Sequence, residues 1–221
     1  HELNANFTFD AQITPELSFQ SKFGAQYYNN RATSLRNPFY GSGASQGGSL
    51  FRTDTELFVQ NFLNLARYEK SFGNHSIEVL AAHETNSFDQ TFASQSKEKA
   101  VLPYLAEFNN YIIVSSPPTS FKNSSRLESY FGQANYNYKE KYFFSASLRR
   151  DGSSRFVNNK WDTFGSVGAS WIMSEENFFQ DALPFVDFFK LKASYGVSGD
   201  QAGVGLYPGY NTFNVDNLNG A

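Results

Sequence analysis

The 221 residues contain no cysteine, three histidines and one methionine, and their formal net charge is -3. Without cysteine the chain has neither disulfides nor thiolate metal sites. Without an excess of basic residues it has no overall positive field, so we expect no nucleic-acid partner. No run of about 18 apolar residues occurs, and no basic segment followed by an apolar one opens the chain, so the sequence predicts neither a transmembrane helix nor a signal peptide.

Motifs of enzymes are missing as well. His1, His75 and His83 are not arranged as HExxH, and no glycine-rich phosphate loop is present. Ser170 is followed by tryptophan in "GASWIM" and does not form a nucleophile elbow. The segment "DGSSRF" offers one carboxylate, Asp151, which is too few for calcium. We therefore expect no enzymatic activity, no metal and no cofactor.

Aromatic residues are abundant. They make up 18% of the chain, with 24 phenylalanines and 13 tyrosines, although the mean hydropathy is -0.47. From Glu2 to Ala11 apolar and polar residues alternate strictly, which is the period of a β-strand. The same alternation predicts an all-β, antiparallel chain of about eight strands, at residues 2–11, 17–27, 53–68, 75–92, 128–138, 142–150, 163–173 and 188–198.

The connections between these strands alternate in length. Short turns are predicted at "QITPE", "EKSFGNHS" and Lys139 to Lys141, whereas long loops are predicted near residues 29–50, 93–125 and 198–221. The connection "SEENFFQDALPF" predicts one helical turn with Ser174 as its N-cap.

Two architectures produce strands of this kind. In a β-sandwich the apolar faces pack against a second sheet. In a transmembrane barrel they face lipid, with short turns on the periplasmic side, long loops outside and aromatic rings at both interfaces. The alternating connection lengths favour the barrel, as do the small residues on the apolar faces. The sandwich stays open as an alternative.

The segment "SYFGQANYNYKEKYFFSASLRRDGSSRFVNNKWDTFGSVGASWIMSEENFF", followed by "LKASYGVSGDQ", resembles the barrel of SusC-type (RagA-like) TonB-dependent transporters of Bacteroidetes outer membranes. The similarity is dense from Ser129 to Gln201. Asp200 stands where the family often has asparagine, and the tryptophan common before the "LKASYG" strand is absent.

This resemblance implies a transmembrane β-barrel segment, about eight strands of a larger barrel of about 22. Residues 1–221 would be part of the barrel domain, without the plug and the remaining strands. The resemblance further implies import of a bulky nutrient such as an oligosaccharide or a peptide. The implied partners are a SusD-like lipoprotein lid, TonB through segments outside these residues, and outer-membrane lipid or lipopolysaccharide.

Strand parity yields two groups of candidate residues. One group faces the barrel lumen, where it contacts a passing solute, hydrates the wall or touches the plug. The other is a charge cluster at the outer rim, where Asp151 is expected to form ion pairs with neighbouring arginines. A register shifted by one residue would exchange the lumen and lipid sets. The lumen candidates are Gln133, Asn135, Asn137, Arg149, Lys190, Lys192 and Ser194, and the rim cluster is Arg149, Arg150, Asp151 and Arg155.

The predicted long loops carry five aromatic residues, Phe39, Tyr40, Tyr104, Phe108 and Tyr111. Their rings are suited to stacking on sugars or packing against a lid protein. Two rival functions remain at this point, a complete small barrel of eight strands with a structural or adhesive role, and a soluble glycan-binding sandwich.

Overall fold

The structure is a computed structural model that describes residues 1–201 and 203–209. Eight β-strands dominate it, as the alternation predicted. They are β1 (Glu2–Gln12), β2 (Leu17–Arg36), β3 (Ser49–Phe72), β4 (His75–Ala100), β5 (Tyr111–Tyr138), β6 (Tyr142–Ser153), β7 (Trp161–Ile172) and β8 (Lys190–Val197).

All eight strands belong to one sheet in the order β1 to β8, so every strand lies beside its neighbours in the sequence. The ladders from β5 to β8 are antiparallel. This confirms the all-β meander. The sandwich alternative is wrong, because a sandwich needs two sheets. In the described part of the chain the order ends at β1 and β8, which do not pair, so a closed eight-stranded barrel does not form either.

Strands β2 to β5 extend far into stretches that the sequence assigned to loops. Residues 29–36, 93–100 and 111–125 are strand, and the irregular connections shrink to 37–48 and 101–110. Apart from residues 111–114, which are apolar on both faces, these extensions are mostly polar on both faces, so neither part shows the alternation on which the prediction depended. The third predicted loop, 198–221, contains no strand in residues 198–201 and 203–209, and its remainder lies outside the described residues.

Strand β5 contains two consecutive prolines, Pro117 and Pro118. Its pairing with β6 begins only at Leu127, which lies opposite Ser153. Within the described residues the N-terminal part of β5 is therefore not paired with β6, so the one proline whose missing N–H would point to that side breaks no ladder hydrogen bond there. The missing N–H of the adjacent proline points to the other side of the strand.

Helical structure is confined to single turns. The 3-10 turns are Gly41–Gln46, Phe108–Asn110 and Met173–Glu175, and the α-helix α1 is Asn177–Ala182. Helix α1 begins after Glu176, not after Ser174, so the predicted N-cap is wrong. No helix in the described ranges is long and apolar enough to cross a membrane.

Contacts group the residues into two compact units. The first contains His1–Phe7, Phe23–Asn61 and Ser87–Ser124, and the second contains Thr8–Lys22, Phe62–Asn86 and the described residues from Ser125 onward. Of the described apolar side chains only Leu50, Tyr111 and Phe179 are buried. Because the sheet buries so few of its own apolar side chains, its remaining apolar surface must be covered by its surroundings.

Candidate functional site

The ladders of the second unit fix which residues share a face. Ser147 on β6 lies opposite Gln133 on β5 and Ser166 on β7, and Gly168 on β7 lies opposite Ser194 on β8. Because side chains alternate along a strand, all seven lumen candidates fall on one face of the sheet. We call it the polar face. It carries Gln133, Asn135, Asn137, Ser145, Ser147, Arg149, Ser166, Ser170, Lys190, Lys192 and Ser194.

The opposite, apolar face is left open to its surroundings. Leu148 is 62% exposed, Val167 59% and Tyr195 73%. Leu148 lies opposite Gly132 and Gly165, which have no side chains, so its directly paired neighbours offer no side chain for it to pack against. Water penalises apolar surface by about 25 cal/mol per Å². An open apolar face of this kind is suited to lipid tails.

A continuous row of rings crosses the apolar face beside the short turn between β5 and β6. Tyr138 lies 4.9 Å from His75 and 6.2 Å from Tyr142, measured between ring centroids. Trp171 continues the row, 6.1 Å from Tyr142, and Phe178 follows at 6.0 Å. Amphipathic rings in such a row are typical of the headgroup level of a membrane.

Glu176 joins the polar ends of this row. Tyr142 donates its hydroxyl hydrogen to Glu176 Oε1 at 2.7 Å, and the Trp171 indole donates to the same oxygen at 3.3 Å. Lys141 Nζ lies 3.8 Å from the other carboxylate oxygen and also donates to the backbone carbonyl of Glu175. The hydrogen bond from Tyr142, supported by Trp171 and the lysines, holds the pKa of Glu176 below its usual value.

A second row of rings crosses the apolar face farther from the β5–β6 turn, at the start of β7 and inside β4 and β5. His83 stacks on Tyr130 at 4.7 Å, and Tyr130 lies 6.0 Å from Trp161. From Trp161 to Trp171 the β7 strand rises about 33 Å, or about 25 Å after allowance for a barrel tilt of about 40°. This matches the height of the apolar band of an outer-membrane barrel.

The polar face contains a cleft of ≈ 540 Å³. Asn135, Asn137, Lys192 and Ser194, four of the seven lumen candidates, line it together with Glu78. Within the described residues, Asn137 Oδ1 is buried without a hydrogen-bond partner, and Lys192 is exposed and makes no ion pair. The cleft therefore offers one acceptor and one cation to a polar molecule.

One wall of the cleft is a chain of polar contacts. Gln133 donates to Asn135 Oδ1 at 3.2 Å, and Asn135 donates to Glu78 Oε2 at 3.4 Å. Arg67 lies 3.9 Å from Glu78 and 3.5 Å from Glu69. Lys190, the remaining candidate here, places its ammonium 4.2 Å from the ring centre of Phe143, which also lines the cleft.

Arg149 stands apart from the cleft in a charge network on the same face. Its Nε donates to both carboxylate oxygens of Asp151, at 2.7 and 2.9 Å. Its Nη2 donates to Ser129 Oγ at 2.8 Å and lies 3.4 Å from Glu84 Oε2. The guanidinium also covers the Phe131 ring at 4.9 Å. Four side chains on three strands thus fix one arginine.

The four residues of the predicted rim cluster do not form one cluster. Arg149 and Asp151 pair as expected. Arg150 points to the apolar face, where its guanidinium lies 5.5 Å from the Trp161 ring centre. Arg155 donates to the backbone carbonyls of Gln201 and Val204, at 3.3 and 2.7 Å. Adjacent positions on a strand face opposite ways, which separates Arg150 from its neighbours.

Glu78, Glu84, Ser129 and Glu176 were absent from the predicted site residues. The first three lie on the neighbouring strands β4 and β5, and only the pairing of β4, β5 and β6 brings them to Asn135 and Arg149. Glu176 had a sequence signal, the "SEE" segment, which was assigned to a helix cap. Among residues 1–201 and 203–209, no group of three or more histidine, aspartate and glutamate side chains is placed to hold a metal ion.

Taken together, one antiparallel meander, a polar face with a cleft and an apolar face between two rows of rings define a segment of a transmembrane β-barrel wall. The family model of the TonB dependent receptor-like β-barrel matches residues 1–221. The chain belongs to this family, as the resemblance indicated. The family is one of receptors and not of enzymes.

Curated relatives agree. TonB-dependent receptor P3 of Formosa agariphila is 32% identical over 201 residues, which is 89% of this chain and 20% of that protein. TonB-dependent receptor SusC of Bacteroides thetaiotaomicron is 26% identical over 212 residues, which is 90% of this chain and 19% of that protein. The chain thus spans about a fifth of the length of these relatives.

Solved structures show the same fold. The RagAB peptide transporter aligns with a TM-score of 0.85 and 22% identity, over 98% of this chain and 25% of that chain. The 'open-open' state of the RagAB peptide importer aligns with a TM-score of 0.83 and 25% identity, over 99% of this chain and 24% of that chain. The eight strands therefore correspond to part of a larger barrel.

Proposed function

We propose that these strands form part of the wall of an outer-membrane TonB-dependent transporter that imports a bulky nutrient such as an oligosaccharide or a peptide. The observation that carries the proposal is the two-faced sheet, with an open apolar face between two rows of rings and a polar cleft on the other side. A wall between lipid and an aqueous lumen needs this division, whereas a water-surrounded domain does not.

Among the described residues β1 and β8 are the edge strands of the sheet, which supports the same proposal. Unpaired backbone N–H and C=O groups are too costly to face hydrocarbon, so both edges pair with further strands in a membrane. We place the short β5–β6 turn at the periplasmic side and the connections 37–48 and 101–110 outside. Energy from TonB and a SusD-like lipoprotein complete the proposed system. SusC and the RagAB peptide transporter are the relatives that motivate this choice.

In the proposed lumen, the cleft at Lys192 and Asn137 contacts the passing solute. A neutral amide or hydroxyl fits the free acceptor of Asn137, and a carbonyl or carboxylate fits the ammonium of Lys192. Both oligosaccharides and peptides present such groups, which is why the cleft alone does not select between them. The charge network of Arg149 is already saturated by protein groups, so we assign it a structural role.

The test is uptake by the parent protein in its own membrane. Cells that lack its gene should fail to import one class of labelled oligosaccharide or peptide, and a protonophore should stop import in wild-type cells. Import that persists without the gene, or a purified parent chain no longer than about 221 residues, would contradict the proposal.

A matched pair of variants tests the cleft. Lys192→Gln is expected to raise the half-saturating solute concentration severalfold, because an ammonium contact to the solute is lost. Lys122→Gln, which removes an exposed lysine outside the cleft, should leave it unchanged. Equal effects of the two substitutions would show that the cleft does not contact the solute.

A further inference from the structure

The apolar face of the second unit contains a groove that begins at the second row of rings and runs toward the first. Its volume is ≈ 820 Å³. Small residues form its floor, because Ala134 lies opposite Ala146 and Leu148 lies between Gly132 and Gly165 in the paired strands. The larger side chains along the groove include Val79, Tyr130, Leu148, Val167 and Tyr195.

The dimensions of the groove suit a slender apolar chain. Along β5 and β6 it extends from the pair of Tyr130 and Arg150 to the pair of Ala134 and Ala146, which is about 13 Å at the rise of a strand. Neighbouring strands lie about 4.8 Å apart, so a floor of small residues leaves a channel about as wide as one hydrocarbon chain. A single acyl chain of a lipid can therefore lie along the strands in this groove.

Arg150 places a cation at one end of the groove. It lines the groove and lies opposite Tyr130 on β5 and Thr163 on β7. Its guanidinium lies 5.5 Å from the Trp161 ring centre, and within residues 1–201 and 203–209 its side chain makes neither an ion pair nor a hydrogen bond. Contact with a ring occupies none of the N–H donors of a guanidinium. These donors remain available to a phosphate group, which arginine binds in bidentate geometry.

The carboxylate nearest in sequence on the same face is already engaged. Glu128 Oε1 accepts a hydrogen bond from the Tyr130 hydroxyl at 2.7 Å, and Nε2 of His83 lies 3.1 Å from the same oxygen. The His83 ring also stacks on the Tyr130 ring. Glu128 therefore holds the Tyr130 ring in place while Arg150, on the next strand, keeps its donors free for an anionic group.

Two exposed rings stand beside this cation. Tyr130 is 49% and Trp161 41% exposed, and their ring centroids are 6.0 Å apart. Gly152 lies opposite Trp161, and a Cβ there would lie 2.7 Å from the indole, so the missing side chain lets the indole lie over β6. Aromatic rings present an apolar surface with a polar edge, which suits the apolar face of a sugar ring.

We propose that the groove is the binding site of a phosphorylated glycolipid, the lipid A part of lipopolysaccharide. One acyl chain lies in the groove, a sugar ring packs against Trp161 and Tyr130, and a phosphate binds Arg150. This inference rests on the proposed function, which supplies the membrane and the orientation that places Arg150 in the outer leaflet.

The chemistry of the three parts selects the glycolipid over other lipids. The unpaired guanidinium complements a phosphate in charge, and the apolar groove complements a hydrocarbon chain. A phospholipid would satisfy both of these parts, but it has no sugar ring to cover the two exposed aromatic rings. A phosphorylated glycolipid supplies all three groups in one molecule.

The experiment measures lipid binding to the full-length transporter by native mass spectrometry. The transporter is delipidated in mild detergent and titrated with purified lipopolysaccharide, and one molecule should bind the wild type. Arg150→Gln should bind it at least about tenfold more weakly, because charge-assisted hydrogen bonds to the phosphate are lost. The matched control, Lys160→Gln, removes an exposed lysine that precedes Trp161 and does not line the groove, and it should bind normally.

A second pair of variants tests the groove without changing any charge. Ala146→Phe fills the groove with a ring and should also weaken binding at least about tenfold. Ala169→Phe adds the same ring to the same face outside the groove and should bind normally. Each variant should still migrate as a folded barrel on an unheated gel. Unchanged lipopolysaccharide binding by both Arg150→Gln and Ala146→Phe would overturn the proposed site.

A phospholipid probe and nutrient uptake separate the remaining outcomes. If phosphatidylglycerol binds the wild type as tightly as lipopolysaccharide, the sugar contact is absent and the glycolipid assignment is overturned. If wild-type cells show TonB-dependent uptake but the purified transporter binds no lipopolysaccharide, the lipid site is rejected and the proposed function stands. If lipopolysaccharide binds as described but deletion of the gene leaves uptake unchanged, the lipid site stands and the proposed function is rejected.

Discussion

The Arg149 network allows a quantitative prediction about the C-terminal end of β6 and the part of β5 that pairs with it. The side chains of Arg149, Asp151 and Glu84 are 37%, 24% and 29% exposed, so the network is neither fully buried nor fully solvated. Hydrogen bonds to charged groups contribute about 1.5–3 kcal/mol, whereas exposed ion pairs contribute about 0–1 kcal/mol. We expect Arg149→Met to lower the local opening free energy by about 2 kcal/mol, because two carboxylates lose their shared cation.

Hydrogen exchange of the full-length protein in a lipid bilayer measures this change. A loss of about 2 kcal/mol corresponds to about thirtyfold faster exchange for amides that open locally. The acceleration should be confined to the ladder around Ser129 and Phe131 on β5 and their partners Asp151 and Arg149 on β6. Amides near the turn at Lys139 should exchange at the wild-type rate.

The control is Arg150→Met, the same substitution at the next position. Arg150 contacts the Trp161 ring, an interaction worth about 0.5–1 kcal/mol at exposed sites, so exchange should rise about fivefold at most. Adding Asp151→Asn to Arg149→Met should restore part of the protection, since it removes one of the two crowded charges. Equal exchange in Arg149→Met and wild type would refute the reasoning about this network.

Three further predictions concern the faces and the turn. Leu148→Arg should lower the amount of folded protein in the membrane, because a cation on the lipid face costs about 2–4 kcal/mol, whereas Ser147→Arg should be tolerated. Equal amounts of the two variants on an immunoblot would contradict the assignment of Leu148 to the lipid face. Gly152→Val should lower the unfolding midpoint by an amount equivalent to about 1–3 kcal/mol, since a Cβ there would lie 2.7 Å from the Trp161 ring; a wild-type midpoint would show that the ring moves freely. Because the pKa of Glu176 is lowered in the folded state, its carboxylate stabilises the fold above the unfolded-state pKa, and this effect is lost as pH falls through the folded-state pKa. The unfolding midpoints of wild type and Glu176→Gln should therefore converge between pH 7 and about pH 3. Parallel curves would exclude a stabilising contact of Glu176 with Tyr142.

Strands with one apolar and one polar face could be located from the sequence alone. The alternation from Glu2 to Ala11 and around the turn at Lys139 placed strands β1, β5 and β6 within a few residues at those ends. The turn itself has Lys139 and Glu140 at φ of 54° and 56° without any glycine. Its position followed from the flanking strands and not from turn residues.

Where both faces of a strand are polar, sequence alone failed. Residues 115–125 have no clear alternation and little propensity for strand, and their pairing with a neighbouring strand determines their structure. The candidate site could likewise be predicted only in part. Strand parity placed the seven lumen candidates on one face. The contacts of Arg149 with Glu84 and of Asn135 with Glu78 could not be predicted, because they depend on cross-strand register between residues more than 50 positions apart.

The measurement that tests the central claim most directly is the solvent exposure of consecutive positions on β6. These residues contain no cysteine, so single cysteines at each position from Phe144 to Leu148 can carry spin labels in an otherwise cysteine-free parent protein in lipid vesicles. We predict that labels at Phe144, Ala146 and Leu148 collide mainly with dissolved oxygen, and that labels at the two serines between them collide mainly with a water-soluble nickel complex. Equal exposure of all five positions to the nickel complex, or alternation in the opposite phase, would contradict the assignment of one face to lipid and the other to the lumen.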